Sequence, residues 1–364
     1  MDIKENYPLK NLTSFKIGGP ARYFIEITEK KELPEVFKFA NEKKLAVLRL
    51  GGGSNMLVSD AGFDGVVVRV SNKGINVEAN EDEAKLTAAA GEVWDEVVEQ
   101  AVAAGWWGIE NLSLIPGLAG SAPVQNIGAY GQELSSTLDS VEVYDQDTNE
   151  IKTMNQDECG FGYRQSVFNS HEKGRYIILE IMLRLKRNSE PNISYPDLIK
   201  YFVEKGVVKP SLREMRQAVV EIRTRKHYDP TKVGNAGSFF RNLFLTDFEY
   251  QQLEEKIKQN FSPAELSRLL ELKNKFRSDQ GIKIPAAFVI DLCGLKSASV
   301  GGAQISDKQP IVIINKTGAA KASDVMSLFK RVRQSVYART GLALFNEPEL
   351  VGFNEAELAD YLKL

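Results

Sequence analysis

The chain is short of the side chains from which many active sites are built. His171 and His227 are its only histidines, and Cys159 and Cys293 its only cysteines, in 364 residues. The cysteines stand far apart and match no metal-ligand spacing. A zinc site or a Ser-His-Asp triad is therefore hard to assemble, and no metal is expected. Two idle thiols in a reducing compartment are the plain reading. No apolar run approaches the roughly 20 residues that span a bilayer. Met1-Asp2-Ile3-Lys4-Glu5-Asn6 is too charged to open the apolar region of a signal peptide. These absences predict a soluble, unsecreted, cytoplasmic protein that engages no membrane. Basic charge is not in excess either: the formal net charge is -3, which excludes a broad attraction for nucleic acid and leaves room only for a local phosphate site.

What is present is an ordinary globular composition, 43% apolar and 26% charged, without low-complexity tracts or fixed repeats. Domains hold roughly 100–200 residues, so the length predicts two or three of them. Leu33, Val36, Phe37 and Ala40 recur at helical spacing ahead of an apolar strand over 45–50, and a second strand follows over 65–70. Trp94, Val97, Val98, Ala101 and Val102 form an amphipathic stripe that Gly105 would end. Strands are expected over 141–144, 176–183 and 311–314. Ser211-Leu212-Arg213-Glu214 reads as a capping box opening a helix to about Arg225, broken by His227-Tyr228-Asp229-Pro230. Ser262-Pro263-Ala264-Glu265 caps another helix, and Val325, Leu328, Phe329, Val332 and Val336 mark a third.

Between the first two strands lies Gly51-Gly52-Gly53-Ser54-Asn55. Successive glycines let backbone N–H groups approach a pyrophosphate without interference from Cβ, although a tight interstrand turn would use the same residues. The loop is neither a Gly-x-Gly-x-x-Gly fingerprint nor a P-loop. A second stretch, 111–131, combines polar side chains with glycines and is too long for a turn. Its chemistry suits any flat heterocycle.

The order of motifs makes the reading specific. Asn11-Leu12-Thr13-Ser14-Phe15-Lys16-Ile17-Gly18-Gly19, then Gly-Gly-Gly-Ser-Asn at 51–55, Ile115-Pro116-Gly117 with Gln125-Asn126-Ile127-Gly128-Ala129-Tyr130-Gly131, Gly162-Tyr163-Arg164, Gly234-Asn235-Ala236-Gly237-Ser238-Phe239-Phe240 and Glu347-Pro348-Glu349 together resemble the UDP-N-acetylenolpyruvoylglucosamine reductases over nearly the whole chain. The resemblance implies an α+β fold. A two-subdomain FAD-binding domain of the vanillyl-alcohol oxidase type, 1–70 and 71–215 joined by 340–364, would accompany a separate α+β substrate-binding domain at 225–339. It implies non-covalent FAD, NADPH as co-substrate, and UDP-N-acetylglucosamine enolpyruvate as the substrate reduced to UDP-N-acetylmuramate for peptidoglycan synthesis, by a monomer.

The same resemblance distributes roles. Hydride would pass from flavin N5 to the terminal enolpyruvyl carbon, leaving charge beside the carboxylate to be spread and then quenched by a proton. Arg164 would polarise that carboxylate, Ser238 would donate the proton, and Glu349 would orient the donor. A serine hydroxyl is a poor acid, so its surroundings must lower the cost of the alkoxide. Gly51, Gly52, Gly53, Ser54, Asn55, Ser121 and Gly128 would hold FAD. Tyr163 and Tyr195 would line the substrate, Tyr195 on the covering loop of the family's long-loop type, while Lys226 and Asn242 would take the diphosphate. Plainer accounts exist for single residues: a surface ion pair for Arg164, a turn hydroxyl for Ser238, a solvated helix end for Arg223-Thr224-Arg225-Lys226. Two departures stand out. Leu350-Val351 replaces the family's frequent Val-Arg, and the region between Arg241 and Pro285 is longer than usual. The rivals are an oxidase on the same FAD scaffold and a nucleotide-sugar binding module without flavin; a nucleic-acid-binding role ranks below both.

Overall fold

The computed structural model describes residues 1–278 and 281–364. Its elements fall into two compact units. The first comprises Met1–Tyr7, Ala21–Gly52 and Asp64–Arg225; the second comprises Pro8–Pro20, Gly53–Phe63 and Lys226–Leu364.

Two sheets run through the first unit. One is four-stranded, in the order Ile3–Pro8, Pro20–Ile27, Phe63–Val70, Val47–Leu50, with the last two parallel in the register Val47↔Val66. The helix Leu33–Glu42 buries Leu33, Val36, Phe37 and Ala40 against this sheet's Ile25, Val66 and Val68, as its spacing predicts. The other sheet has five strands, in the order Glu150–Asn155, Leu138–Asp145, Tyr176–Lys186, Glu83–Ala89, Ile75–Ala79, antiparallel throughout. The helix Trp94–Ala103 packs on its core through Trp94, Val97, Val98 and Ala101, and Gly105 stops it at φ +83°, a conformation that favours glycine.

Within this unit the 111–131 stretch carries only the 3-10 turns Glu110–Leu112 and Ala119–Ser121 and the short strand pair Gly128–Ala129 with Gln132–Glu133. Ser211 and Glu214 exchange the expected capping bonds at the start of the helix Leu212–Lys226.

The second unit is built around the long helix Ala322–Thr340, with two three-stranded sheets and the parallel pair Glu349–Val351 and Met56–Val58. The long stretch after Arg241 forms the helices Asp247–Asn260 and Pro263–Lys275. Tyr250, Leu253, Ile257 and Leu269 from these helices join the core that holds Val325, Phe329 and Val332. This stretch is thus part of the domain's interior. Residues 340–364, expected to join 71–215, cluster instead with the second unit. The reason is physical: Leu342 and Leu344 are buried in that unit's core, and Glu349–Val351 completes a ladder with Met56–Val58. Among the described residues no helix is long and apolar enough to cross a membrane, and no cluster of ligating side chains could hold a metal.

Candidate active site

In the first unit, Gly51 and Gly52 lie hard against the 117–121 turn. A Cβ on Gly51 would overlap Ser121 Oγ, and one on Gly52 would come 2.7 Å from Gly117 Cα. Gly52 N donates to Ser121 Oγ at 3.4 Å. Two glycine-rich loops therefore come together, which suits a pyrophosphate or the edge of a flat ring, and at Gly52, where the obstruction is backbone, only glycine fits. These residues fit an FAD. The turn continues to Gly128, whose carbonyl accepts a 2.8 Å hydrogen bond from Arg164 Nη2.

Arg164 sits in a tight turn closed by the Gly162↔Gln165 bridge, at φ +55°. That left-handed conformation is costly for a residue with a Cβ and persists only where the surroundings impose it. Asn169 Nδ2 donates to Arg164 O at 3.1 Å, Asn126 Nδ2 donates to Gly162 O at 3.2 Å, and the guanidinium lies 5.1 Å from the Tyr163 ring centre. The planar cation is thus aimed by its backbone, by Gly128 and by Tyr163. Tyr195 caps the helix Pro196–Lys205, with its ring edge-on to Tyr130 at 5.3 Å. Tyr130 is itself at φ +48°, and burial pushes its phenol up to about 12.

In the second unit, residues from four separate stretches converge. Ser14 is the hub: its N–H donates to Gly53 O at 3.0 Å, its hydroxyl to Asn235 O at 2.7 Å, and its carbonyl accepts from Asn235 N at 3.1 Å. Asn235 Oδ1 accepts from Gly237 N at 3.1 Å, shaping the turn that presents the half-buried Ser238, with Gly237 at φ +69°. The strand-like run after Ser238 pairs with the run before Glu349. Glu347 N donates to Phe239 O and Arg241 N to Phe345 O, both at 2.9 Å, around the Phe240↔Asn346 bridge. Glu349 N then donates to Asn55 O at 3.0 Å. Ser238, Glu349 and the Gly53-Ser54-Asn55 half of the glycine loop accordingly share one framework.

Asn242 Oδ1 accepts from Ala286 N at 3.1 Å, at the start of the helix Ala286–Leu292. Lys226 is the last residue of the helix Leu212–Lys226. A cavity of about 840 Å³ opens elsewhere in this unit, between Leu243–Leu245, Gln252, Lys256 and Phe345, and none of the candidate residues lines it. Ser14, Asn235, Asn111 and Tyr130 emerge as framework residues to which the sequence alone assigns no role. Ser14, Asn235 and Tyr130 lie inside recognisable motifs and Asn111 opens the 111–131 stretch, but their hydrogen bonds reach residues that sequence spacing cannot pair.

Comparison with known proteins extends this picture over the chain. Residues 21–154 match the family model of an FAD binding domain, and residues 229–351 match the C-terminal domain of UDP-N-acetylenolpyruvoylglucosamine reductase. The UDP-N-acetylenolpyruvoylglucosamine reductase of Neisseria gonorrhoeae is 37% identical over 348 residues, 95% of this chain and 96% of its own length. That of Flavobacterium johnsoniae is 34% identical over 96% of this chain and its full length. The crystal structure of UDP-N-acetylenolpyruvylglucosamine reductase from Thermus caldophilus superposes with a TM-score of 0.63 at 24% identity, covering 96% of this chain and 98% of that one, a likeness of fold. With an FAD-binding domain at one end, a reductase-specific domain at the other and full-length relatives above 30% identity, the chain belongs to the UDP-N-acetylenolpyruvoylglucosamine reductase family.

Proposed function

We propose that the protein reduces UDP-N-acetylglucosamine enolpyruvate to UDP-N-acetylmuramate in the cytoplasm, with NADPH as reductant and Ser238 as proton donor. The observation that carries this reading is the pairing of 239–241 with 345–347, which anchors the Ser238 turn and the Glu349 strand to one backbone framework. When bound, FAD would supply the two-electron redox chemistry that carries reducing equivalents from NADPH to the enolpyruvyl group.

The protein's own residues manage the charge that follows. Arg164 meets the substrate carboxylate with a planar cationic fork, strongest when negative charge builds there in the transition state. Its strained backbone and its bond to Gly128 fix the cation in advance, so that little reorganisation accompanies the step. Ser238 passes its proton to the carbon beside the carboxylate and is reprotonated from water, so one hydride and one proton convert the enol ether to a lactyl ether. Glu349 orients that hydroxyl. Tyr163 and Tyr195 flank the substrate, while Lys226 and the amide of Asn242 hold the diphosphate, the Asn242 side chain being aimed by its oxygen's bond to Ala286 N. Gly51, Gly52, Gly53, Ser54, Asn55, Ser121 and Gly128 cradle the cofactor.

The test is anaerobic rapid-mixing absorbance on the FAD-loaded protein. Addition of NADPH should bleach the flavin band, and UDP-N-acetylglucosamine enolpyruvate should restore it with one UDP-N-acetylmuramate formed per flavin. A bleached flavin indifferent to this substrate would refute the assignment.

A further inference from the structure

The first unit contains a knot of hydrogen bonds that none of the assigned roles requires. Asn111 is fully buried, and its single amide nitrogen donates to two carbonyls at once: Tyr130 O and Asn192 O, each at 2.9 Å. Its backbone N–H donates to Gln132 Oε1 at 3.1 Å. Asn192 answers from the other side, its Nδ2 donating to Gly131 O at 2.9 Å and its Oδ1 accepting from the hydroxyl of Ser194 at 2.7 Å and its N–H at 3.2 Å. A Cβ on Gly131, which has φ +82°, would stand 3.1 Å from Ser194 Oγ, so the two loops touch backbone to side chain. One residue further on, Tyr195 opens its helix and lays its ring edge-on to Tyr130.

The chemistry of Asn111 fixes its orientation. Turned over, its oxygen would face two carbonyl oxygens, so only the amide-out arrangement is stable. Among the described residues Asn111 Oδ1 has no hydrogen-bond partner. The amide's two hydrogen bonds join loop segments rather than a helix or sheet, so what the Asn111 side chain contributes is the placement of those loops.

We propose that Asn111 and Asn192 are positioning residues for the nucleoside-diphosphate sugar: they tie the loop that carries Tyr195 to the Tyr130–Gly131 turn, so that the substrate meets a covering loop already ordered. A pre-ordered loop lowers the entropy lost on binding and shows as a lower KM, whereas chemistry at Ser238 proceeds unchanged once the site is filled. The inference rests on the proposed role of Tyr195 in covering the substrate.

Two measurements on the FAD-loaded protein test it. Amide hydrogen exchange of residues 188–196, without substrate, should quicken roughly ten- to thirtyfold in Asn111→Ala, as loss of two hydrogen bonds allows, with the five-stranded sheet unaffected. Steady-state kinetics should show KM for the sugar nucleotide raised by a similar factor and kcat changed less than about threefold. Asn192→Ala, which breaks the knot from the exposed side without opening the core, should reproduce both effects more weakly and serves if Asn111→Ala does not fold. Unchanged exchange over 188–196, exchange quickened throughout the unit, or a fall in kcat at unchanged KM would each overturn the proposal. If wild-type protein fails to turn over this substrate, the functional reading fails, while the exchange result still decides whether the two asparagines hold the loop.

Discussion

Gly51 carries its role in what it lacks. The Cβ it is missing would overlap Ser121 Oγ and, once that hydroxyl had rotated away, would still stand 3.1 Å from Ser121 Cβ, so Gly51→Ala turns the Ser121 side chain and displaces the 117–121 turn slightly. Overpacking of this kind costs about 1–3 kcal/mol, and FAD affinity is expected to fall roughly tenfold or more, measured by flavin fluorescence titration. Replacing Ser121 by glycine in the same protein removes the clash and should restore part of that affinity, a coupling that an additive pair would not show. Unchanged FAD retention in Gly51→Ala alone would place the cofactor elsewhere. At this scale the sequence is legible where a residue type has few uses. The glycine run marks bare backbone, whether for an anion or for a tight turn, and it is the family resemblance that singles out Arg164 in Gly-Tyr-Arg. Asn111 is illegible, because an asparagine's importance lies in two carbonyls, 19 and 81 residues away, that no spacing rule joins to it.

The five-stranded sheet offers a prediction that belongs to the element. Asp145, at the end of the strand Leu138–Asp145, is completely buried and accepts hydrogen bonds from Arg175 Nη2 at 2.8 Å and Nε at 3.0 Å, from Lys152 Nζ at 3.0 Å and from Asp147 N at 3.1 Å. The Arg175 guanidinium, aided by Lys152, holds its carboxyl well below the usual carboxylate range. A depressed folded value means stability that is present above the unfolded pKa of about 4 and lost as pH falls towards the folded value. Asp145→Asn should lose about 1–2 kcal/mol at pH 7, limited because Arg175 and Lys152 still reach water, and its denaturant midpoint should vary less with pH below about 5 than that of wild type. Parallel acid profiles for the two proteins would contradict this. Helices in both units were readable from apolar period and capping boxes, Trp94–Ala103 and Ala322–Thr340 among them. The strand pair Gly128–Ala129 with Gln132–Glu133 was not, since strands that short have no period to read.

Over the whole molecule, the motifs appear in the sequence one after another, and the structure sorts them into two sets. The chain passes into the second unit after Tyr7, inside the glycine loop after Gly52, and after Arg225, returning to the first after Pro20 and Phe63. Residues 53–55 therefore belong with Ser238 and Glu349, while residues 51–52 belong with Ser121, Gly128 and Arg164, a division that chain order hides. The C-terminal stretch 340–364 was misplaced for the same reason, because its partner strand Met56–Val58 lies almost 300 residues earlier. If Ser238 supplies the proton, Ser238→Ala should separate the two half-reactions, which anaerobic rapid mixing resolves. Flavin bleaching by NADPH should stay within about threefold of wild type, and substrate-dependent recovery of the flavin band should slow at least about a hundredfold, the lower range for loss of a general acid. Recovery at the wild-type rate, with UDP-N-acetylmuramate formed, would contradict it.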